Sequence, residues 1–108
     1  MGDHLTIDVR EADGTCVLAL KGELDLASAP ALVDLAEAQL EGGTCALVLD
    51  LRSLGFIDST GLGAIAGIDR AARKAGVPFS LVPGPANVQR VFEVSGTSGV
   101  FSWTDAPA

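Results

Sequence analysis

The amino-acid sequence predicts an α/β fold: a four-stranded, mostly parallel mixed sheet with an N-terminal hairpin and helices mainly on one face. Three observations carry this reading. Leu5, Ile7 and Val9 alternate with Thr6, Asp8 and Arg10, the period of a strand with one buried and one wet face. Further on, apolar strand-like runs at residues 45–49 and 79–82 are separated by stretches of helical periodicity, the order that builds parallel sheets. Finally, right-handed crossovers that move in one direction across a sheet lay their helices on the same face.

The elements follow in turn. Asp13-Gly14 marks a tight turn, and Cys16-Val17-Leu18-Ala19-Leu20 returns as the hairpin partner of the first strand, ending at Lys21-Gly22. A helix comes next, because Leu32, Leu35, Ala36 and Leu40 fall on one stripe. Ser28 is placed to cap it, Pro30 is tolerated in its first turn, and Gly42-Gly43 ends it. Residues 45–49 are apolar without alternation, as expected of a strand flanked on both sides, and continue through Asp50-Leu51 into a loop over residues 52–57. A second helix starts at Asp58-Ser59-Thr60, with Leu62, Ile65, Ala66, Ile68 and Ala72 inward. Arg70, Arg73 and Lys74 suit its negative C-terminal end, and Gly76 stops it. Phe79 to Val82 forms the fourth strand, Pro83-Gly84-Pro85 a sharp turn, and Val88, Val91 and Phe92 the inner side of a third helix that ends before Gly96. Val100, Phe101 and Trp103 are expected to pin the tail, with fraying from Asp105 onward.

Composition narrows the function. At 108 residues, 48% hydrophobic and 19% charged, the chain reads as one domain over residues 1–108 with one core. Cys16 and Cys45 fit no disulfide framework and no CxxC metal pattern, so a reducing cytoplasm is the expected location. Seven Lys and Arg stand against 14 Asp and Glu, a net charge of -7. That balance argues against nucleic acid and against anionic membrane surfaces as partners. No apolar stretch approaches the roughly 18 residues of a membrane span, and Met1-Gly2-Asp3-His4 lacks the basic and apolar regions of a signal peptide. Gly2 with Thr6 matches a lipidation pattern in form only, since Thr6 sits inside the strand alternation.

The densest chemical signal is Phe56-Ile57-Asp58-Ser59-Thr60-Gly61-Leu62-Gly63, a strand-to-helix junction with two hydroxyls behind a carboxylate. Capping accounts for Asp, Ser and Thr at such a place. It does not account for Gly61 and Gly63, each of which costs about 1 kcal/mol relative to alanine inside a helix; small residues there point to a close approach by another backbone or a bulky group. A dinucleotide fingerprint fails, because Gly61, Gly63 and Gly67 have the wrong spacing, and there is no Walker lysine. A serine nucleophile fails as well: G-x-S-x-G would need glycine at Ile57, and the one histidine, His4, lies in the first strand region. No clustered ligands suggest a metal or another cofactor, so none is expected. A phosphate on Ser59 would add about -1.5 to -2 charges where the helix dipole tolerates them and Asp58 repels them, which makes the junction readable as a charge switch.

Gly22-Glu23-Leu24-Asp25 after the second strand, the apolar strand to Asp50-Leu51, the Asp58-Ser59-Thr60-Gly61-Leu62 motif and Val88-Gln89-Arg90-Val91-Phe92 in the last helix together resemble the STAS domain of anti-sigma factor antagonists, over residues 5–101. The resemblance implies a non-enzymatic switch of the sporulation or general-stress type. In it the unphosphorylated chain binds an anti-sigma factor serine kinase and frees its sigma factor, and phosphorylation on Ser59 ends the binding. A metal-dependent serine phosphatase then restores it. ATP and the metal belong to those partners. Glu23 and Asp25 carry over as contacts beside the phosphosite, together with Asp58, Ser59, Thr60, Gly61, Leu62 and Gly63; for Glu23 and Asp25 a solvated turn is the competing reading. Thr60 is an alternative phosphate acceptor or a cap hydroxyl. The other family reading is a STAS scaffold subunit of a transporter or signalling assembly without a phosphoswitch, and a small serine-dependent enzyme would lack its base.

Overall fold

The structure, a computed structural model, describes residues 4–105. Its elements are β1 (Thr6–Ala12), β2 (Thr15–Leu24), α1 (Ala29–Glu41), β3 (Ala46–Ile57), α2 (Ser59–Ala75), β4 (Phe79–Val82) and α3 (Ala86–Ser95). β1 and β2 pair antiparallel through Asp13 and Gly14, both at positive φ, as a two-residue hairpin turn with the strands' own twist requires. β2, β3 and β4 are parallel, and the sheet order is β1-β2-β3-β4. The mixed, mostly parallel sheet is therefore the predicted one.

Alternation along the central strands decides which face is covered. Cys16, Leu18 and Leu20 of β2 and Leu47, Leu49 and Leu51 of β3 are fully buried, and the register sets Cys16 beside Leu47 and Leu18 beside Leu49. They share one core cluster with Leu32 and Ala36 of α1, Ile65, Ile68 and Ala72 of α2, and Val88 and Phe92 of α3. All three helices thus close the same side of the sheet. Val48 and Val82 alternate to the other side; they are buried but stand outside that cluster.

Asp50 is also on that second side, only 6% exposed. Both of its carboxylate oxygens accept bonds from the Arg52 guanidinium, the shortest at 2.7 Å, and Oδ1 also accepts the Arg52 N–H at 3.0 Å. Those hydrogen bonds hold the Asp50 carboxyl below its ordinary range, against the opposing push of burial. A carboxyl with a lowered folded-state pKa stabilises the fold above its unfolded pKa, and the gain is lost as pH falls through the folded value. The melting-temperature advantage of wild type over Asp50→Asn is accordingly expected at pH 7 and should shrink through acid pH below about 4. A constant gap over that range would remove Asp50 as its source.

Two expectations about the strands need correction. β2 does not stop at Lys21-Gly22 but runs to Leu24, and residues 52–57 are strand, not loop. The breakers face each other: Lys21 pairs with Ser53 and Gly22 with Leu54, with register irregularities on either side. Gly22 has φ +108°, and a Cβ there would collide with the carbonyl of His4, so only glycine continues the strand at this irregularity. The extension sets Glu23 beside Phe56 and Leu24 beside Ile57, which brings the end of β2 to the start of α2.

At the other edge, Phe101 and Trp103 meet Phe92 edge-on, with centroids 5.7 and 5.0 Å apart. Leu81 N–H donates to the Ser102 carbonyl and Thr104 N–H to the Leu81 carbonyl, both at 2.9 Å. Val100, expected to help, is 55% exposed; Phe101 and Trp103 hold the tail without it. Of the fraying expected from Asp105 onward, residues 106–108 lie outside the described residues, as do residues 1–3, the lipidation-like Gly2 among them.

Candidate functional site

Asp58 joins β3 to α2 in an extended conformation, φ -113° and ψ -175°, the backbone geometry of an N-cap. Its Oδ1 accepts the Gly61 N–H at 2.8 Å and its carbonyl accepts the Leu62 N–H at 2.9 Å. Of the three capping residues the sequence allowed, the cap is therefore Asp58, and not Ser59 or Thr60. Those two residues occupy the first helical positions, and both are exposed. Their own N–H groups belong to the first turn, where an α-helix supplies no acceptor, at the positive end of the dipole of a 17-residue helix.

The end of β2 supports this turn from below. Asp58 N–H donates to the Leu24 carbonyl at 3.3 Å. A Cβ on Gly61 would lie 2.5 Å from that same carbonyl oxygen and 2.9 Å from Leu24 Cγ. The close approach expected at Gly61 is thus the backbone of β2. Gly63 differs: it is exposed, and a Cβ there meets nothing within 4 Å, so the crowding expected at that position is absent. Gly61 and Leu62 are buried, Leu62 within the core cluster, so they seat the helix.

Glu23, the last residue but one of β2, is half-buried, while Asp25 opens the connection to α1. Asp25 Oδ1 accepts the N–H groups of Ala27 and Ser28 at 3.0 and 3.1 Å. Ser28 Oγ accepts the Asp25 N–H at 3.0 Å and donates to the Glu23 carbonyl at 2.8 Å. Ser28 holds the N-cap position of α1 without a side-chain bond to that helix, so its expected capping is replaced by this reciprocal turn. Asp25 thus bonds within the turn.

Two apolar residues near the junction are exposed in a way that the sequence did not signal: Leu26 is 73% exposed and Phe56 44% exposed. Each follows an acidic or glycine residue in what reads locally as turn, where an apolar side chain is expected to tuck under. Among the described residues no group of three His, Cys, Asp or Glu is placed to hold a metal ion. No helix among them is long and apolar enough to cross a membrane. Chemically the junction offers an accessible hydroxyl at a helix start, with the cap already supplied by its neighbour.

The STAS domain family model matches residues 6–106. The anti-sigma-F factor antagonist RsfB of Mycobacterium tuberculosis is 29% identical over 99 residues, covering 92% of this chain and 80% of its own. An anti-sigma factor antagonist from Mycobacterium paratuberculosis, solved by crystallography, superposes with a TM-score of 0.84 at 28% identity, over 94% of this chain and 86% of that one. The Bacillus cell fate determinant SpoIIAA in its phosphorylated form shares the fold at a TM-score of 0.73 and 23% identity, over 94% and 92% of the two chains.

Proposed function

The chain belongs to the STAS domain family, a family of regulatory binding modules and not of enzymes among the relatives above, and from that premise we propose that it is an anti-sigma factor antagonist whose binding is switched off by phosphorylation of Ser59. The observation that carries the switch is the division of labour at the junction: Asp58 caps α2 and leaves the Ser59 hydroxyl exposed. In this reading the partner is an anti-sigma factor serine kinase, which uses ATP to transfer a phosphoryl group to Ser59 Oγ, the serine proton leaving and ADP departing. A metal-dependent serine phosphatase restores the hydroxyl by hydrolysis. The cycle runs in the cytoplasm, and the chain supplies no catalytic group to it. Glu23, Asp25, Asp58, Ser59, Thr60 and Gly63 frame the surface that the partner meets, with Gly61 and Leu62 behind it.

Incubated with that kinase and ATP, the protein is expected to gain one phosphate, located on Ser59 by peptide mapping. Phosphate found only on Thr60, or on Ser95 or Ser98, would contradict the assignment.

A further inference from the structure

The sheet has two edges, and the fold treats them differently. β4 is covered by the tail, since Leu81 N–H donates to the Ser102 carbonyl and the Leu81 carbonyl accepts the Thr104 N–H. β1, first in the order β1-β2-β3-β4, pairs only with β2 among the described residues. Its residues are exposed apart from the half-buried Ile7, and Val9 is 41% exposed. Ala12 and Thr15 flank the two-residue turn, so they exchange both backbone bonds, and the alternation of an antiparallel ladder turns Arg10, Asp8 and Thr6 toward β2 as well. The N–H and C=O groups of Ile7, Val9 and Glu11 therefore point outward, away from the sheet. Such an unpaired row is a template for another strand.

Charged side chains on an edge usually deter that pairing, but the order Asp8-Val9-Arg10 is its own complement. We propose that β1 is a self-association edge, on which a second copy of this chain pairs antiparallel about a two-fold axis at Val9. In this register Val9 exchanges both backbone bonds with Val9 of the second copy, and Ile7 faces Glu11 of the second copy. Asp8 then lies opposite Arg10 of the second copy in the closer, non-hydrogen-bonded kind of pair, where opposite charges attract. Within one strand Arg10 Nε already donates to Asp8 Oδ2 at 3.1 Å, and both side chains are exposed, so the same groups need only exchange partners. The two neighbouring two-fold registers that also pair the outward groups set Asp8 against Asp8 of the second copy, or Arg10 against Arg10 of the second copy. Like charges directly opposite are destabilising, so the register centred on Val9 is selected. The sheets of the two copies become one, with the helices of both on the same face. A single seven-residue edge buries less than the roughly 1,200 Å² of a stable interface, and a net charge of -7 on each copy opposes association. The dimer is accordingly weak, with a dissociation constant between about 10 μM and 1 mM. No residue of β1 belongs to the surface framed for the kinase, so the pairing is independent of the proposed function.

Sedimentation equilibrium of the full chain across that concentration range is expected to show a monomer–dimer equilibrium. Asp8→Arg alone and Arg10→Asp alone set like charges opposite each other in both cross-strand pairs, and each should weaken self-association by about tenfold or more. Mixed in equal amounts, the two variants regain both opposite-charge pairs and should associate at least as tightly as wild type. Both positions are exposed, where substitutions change stability little, so the folded state survives for the comparison. In a mixture of isotope-labelled and unlabelled wild type, an NMR cross-peak is expected between the Hα protons of Asp8 and of Arg10 of the second copy, which belong to the close pair. A protein still monomeric at about 1 mM overturns the proposal. So does a dimer that both variants form as well as wild type, because the contact would then lie on another surface, and a mixture no tighter than either variant alone overturns the register.

Discussion

Ser59→Ala is expected to take up no phosphate and to stay bound to the kinase in the presence of ATP, while phosphorylated wild type loses affinity by about a hundredfold or more. The fold should not register either change. Asp58, not Ser59, supplies the cap bond, so Ser59→Ala removes an exposed hydroxyl, and such surface changes usually stay within about 0.5 kcal/mol. A phosphate on Ser59 gains from the helix dipole and the spare first-turn N–H groups. Backbone NMR shifts between the two forms should therefore be confined to Ser59, the turn after it and residues 22–25; changes spread through the strands and α3 would sink the idea of local exclusion.

The partner bears the cost instead. A surface that packs over a neutral hydroxyl must accommodate a phosphoryl group and about two charges, and a desolvated charge without its own counter-ion costs about 3 kcal/mol or more, about a hundredfold in affinity. Burying an uncompensated charge and fitting the added bulk are both short-range penalties, so the exclusion does not depend on long-range repulsion. Discrimination should then persist at 1 M salt, where the screening length is about 3 Å. Ser59→Asp, smaller and singly charged, should bind more weakly than Ser59→Ala and more tightly than the phosphoprotein. Equal affinity of the two variants by calorimetry would remove charge and bulk at this position as the switch.

Much of the architecture was legible because its signals are local. Leu5, Ile7 and Val9 show their period within five residues, Asp13-Gly14 is its own turn signal, and the stripe from Leu32 to Leu40 needs no other element to be recognised. The extension of β2 and β3 was not legible, because its evidence is in the pairing. Lys21-Gly22 and Ser53-Leu54-Gly55 each look like breaks until they are laid side by side, where Gly22 at φ +108° absorbs the irregularity. The junction motif stood out in sequence, yet the choice of cap among Asp58, Ser59 and Thr60 depends on which residue the strand leaves in the extended region, and ψ -175° at Asp58 decides it. Leu26 stayed hidden for a related reason. Nothing adjacent to it in sequence reveals that Asp25 and Ser28 bond to each other across an exposed leucine.

Gly61 and Gly63 look alike in the sequence, and the structure predicts opposite consequences for the same substitution. In Gly61→Ala the new methyl lies 2.5 Å from the Leu24 carbonyl oxygen, 2.9 Å from Leu24 Cγ and 3.0 Å from Ile57 Cγ1. The leucine side chain can shift, but the carbonyl also accepts the Asp58 N–H, so retreat loosens the bond that joins β2 to the start of α2. The helix-propensity gain of about 1 kcal/mol is set against overpacking of about 1–3 kcal/mol plus that weakened bond. The melting temperature is expected to fall by about 4–8 °C for each kcal/mol of net loss, with the turn carrying Ser59 pushed away from Leu24. In Gly63→Ala the methyl meets nothing within 4 Å, leaving only the propensity gain, and the melting temperature should rise by a few degrees. Thermal unfolding of the two variants reads out both signs. A rise in both would mean that Leu24 yields without cost and that Gly61 is not what fixes the distance between Ser59 and the β2 strand; a fall in Gly63→Ala would mean that the outer face of the first turn is already covered in the free protein.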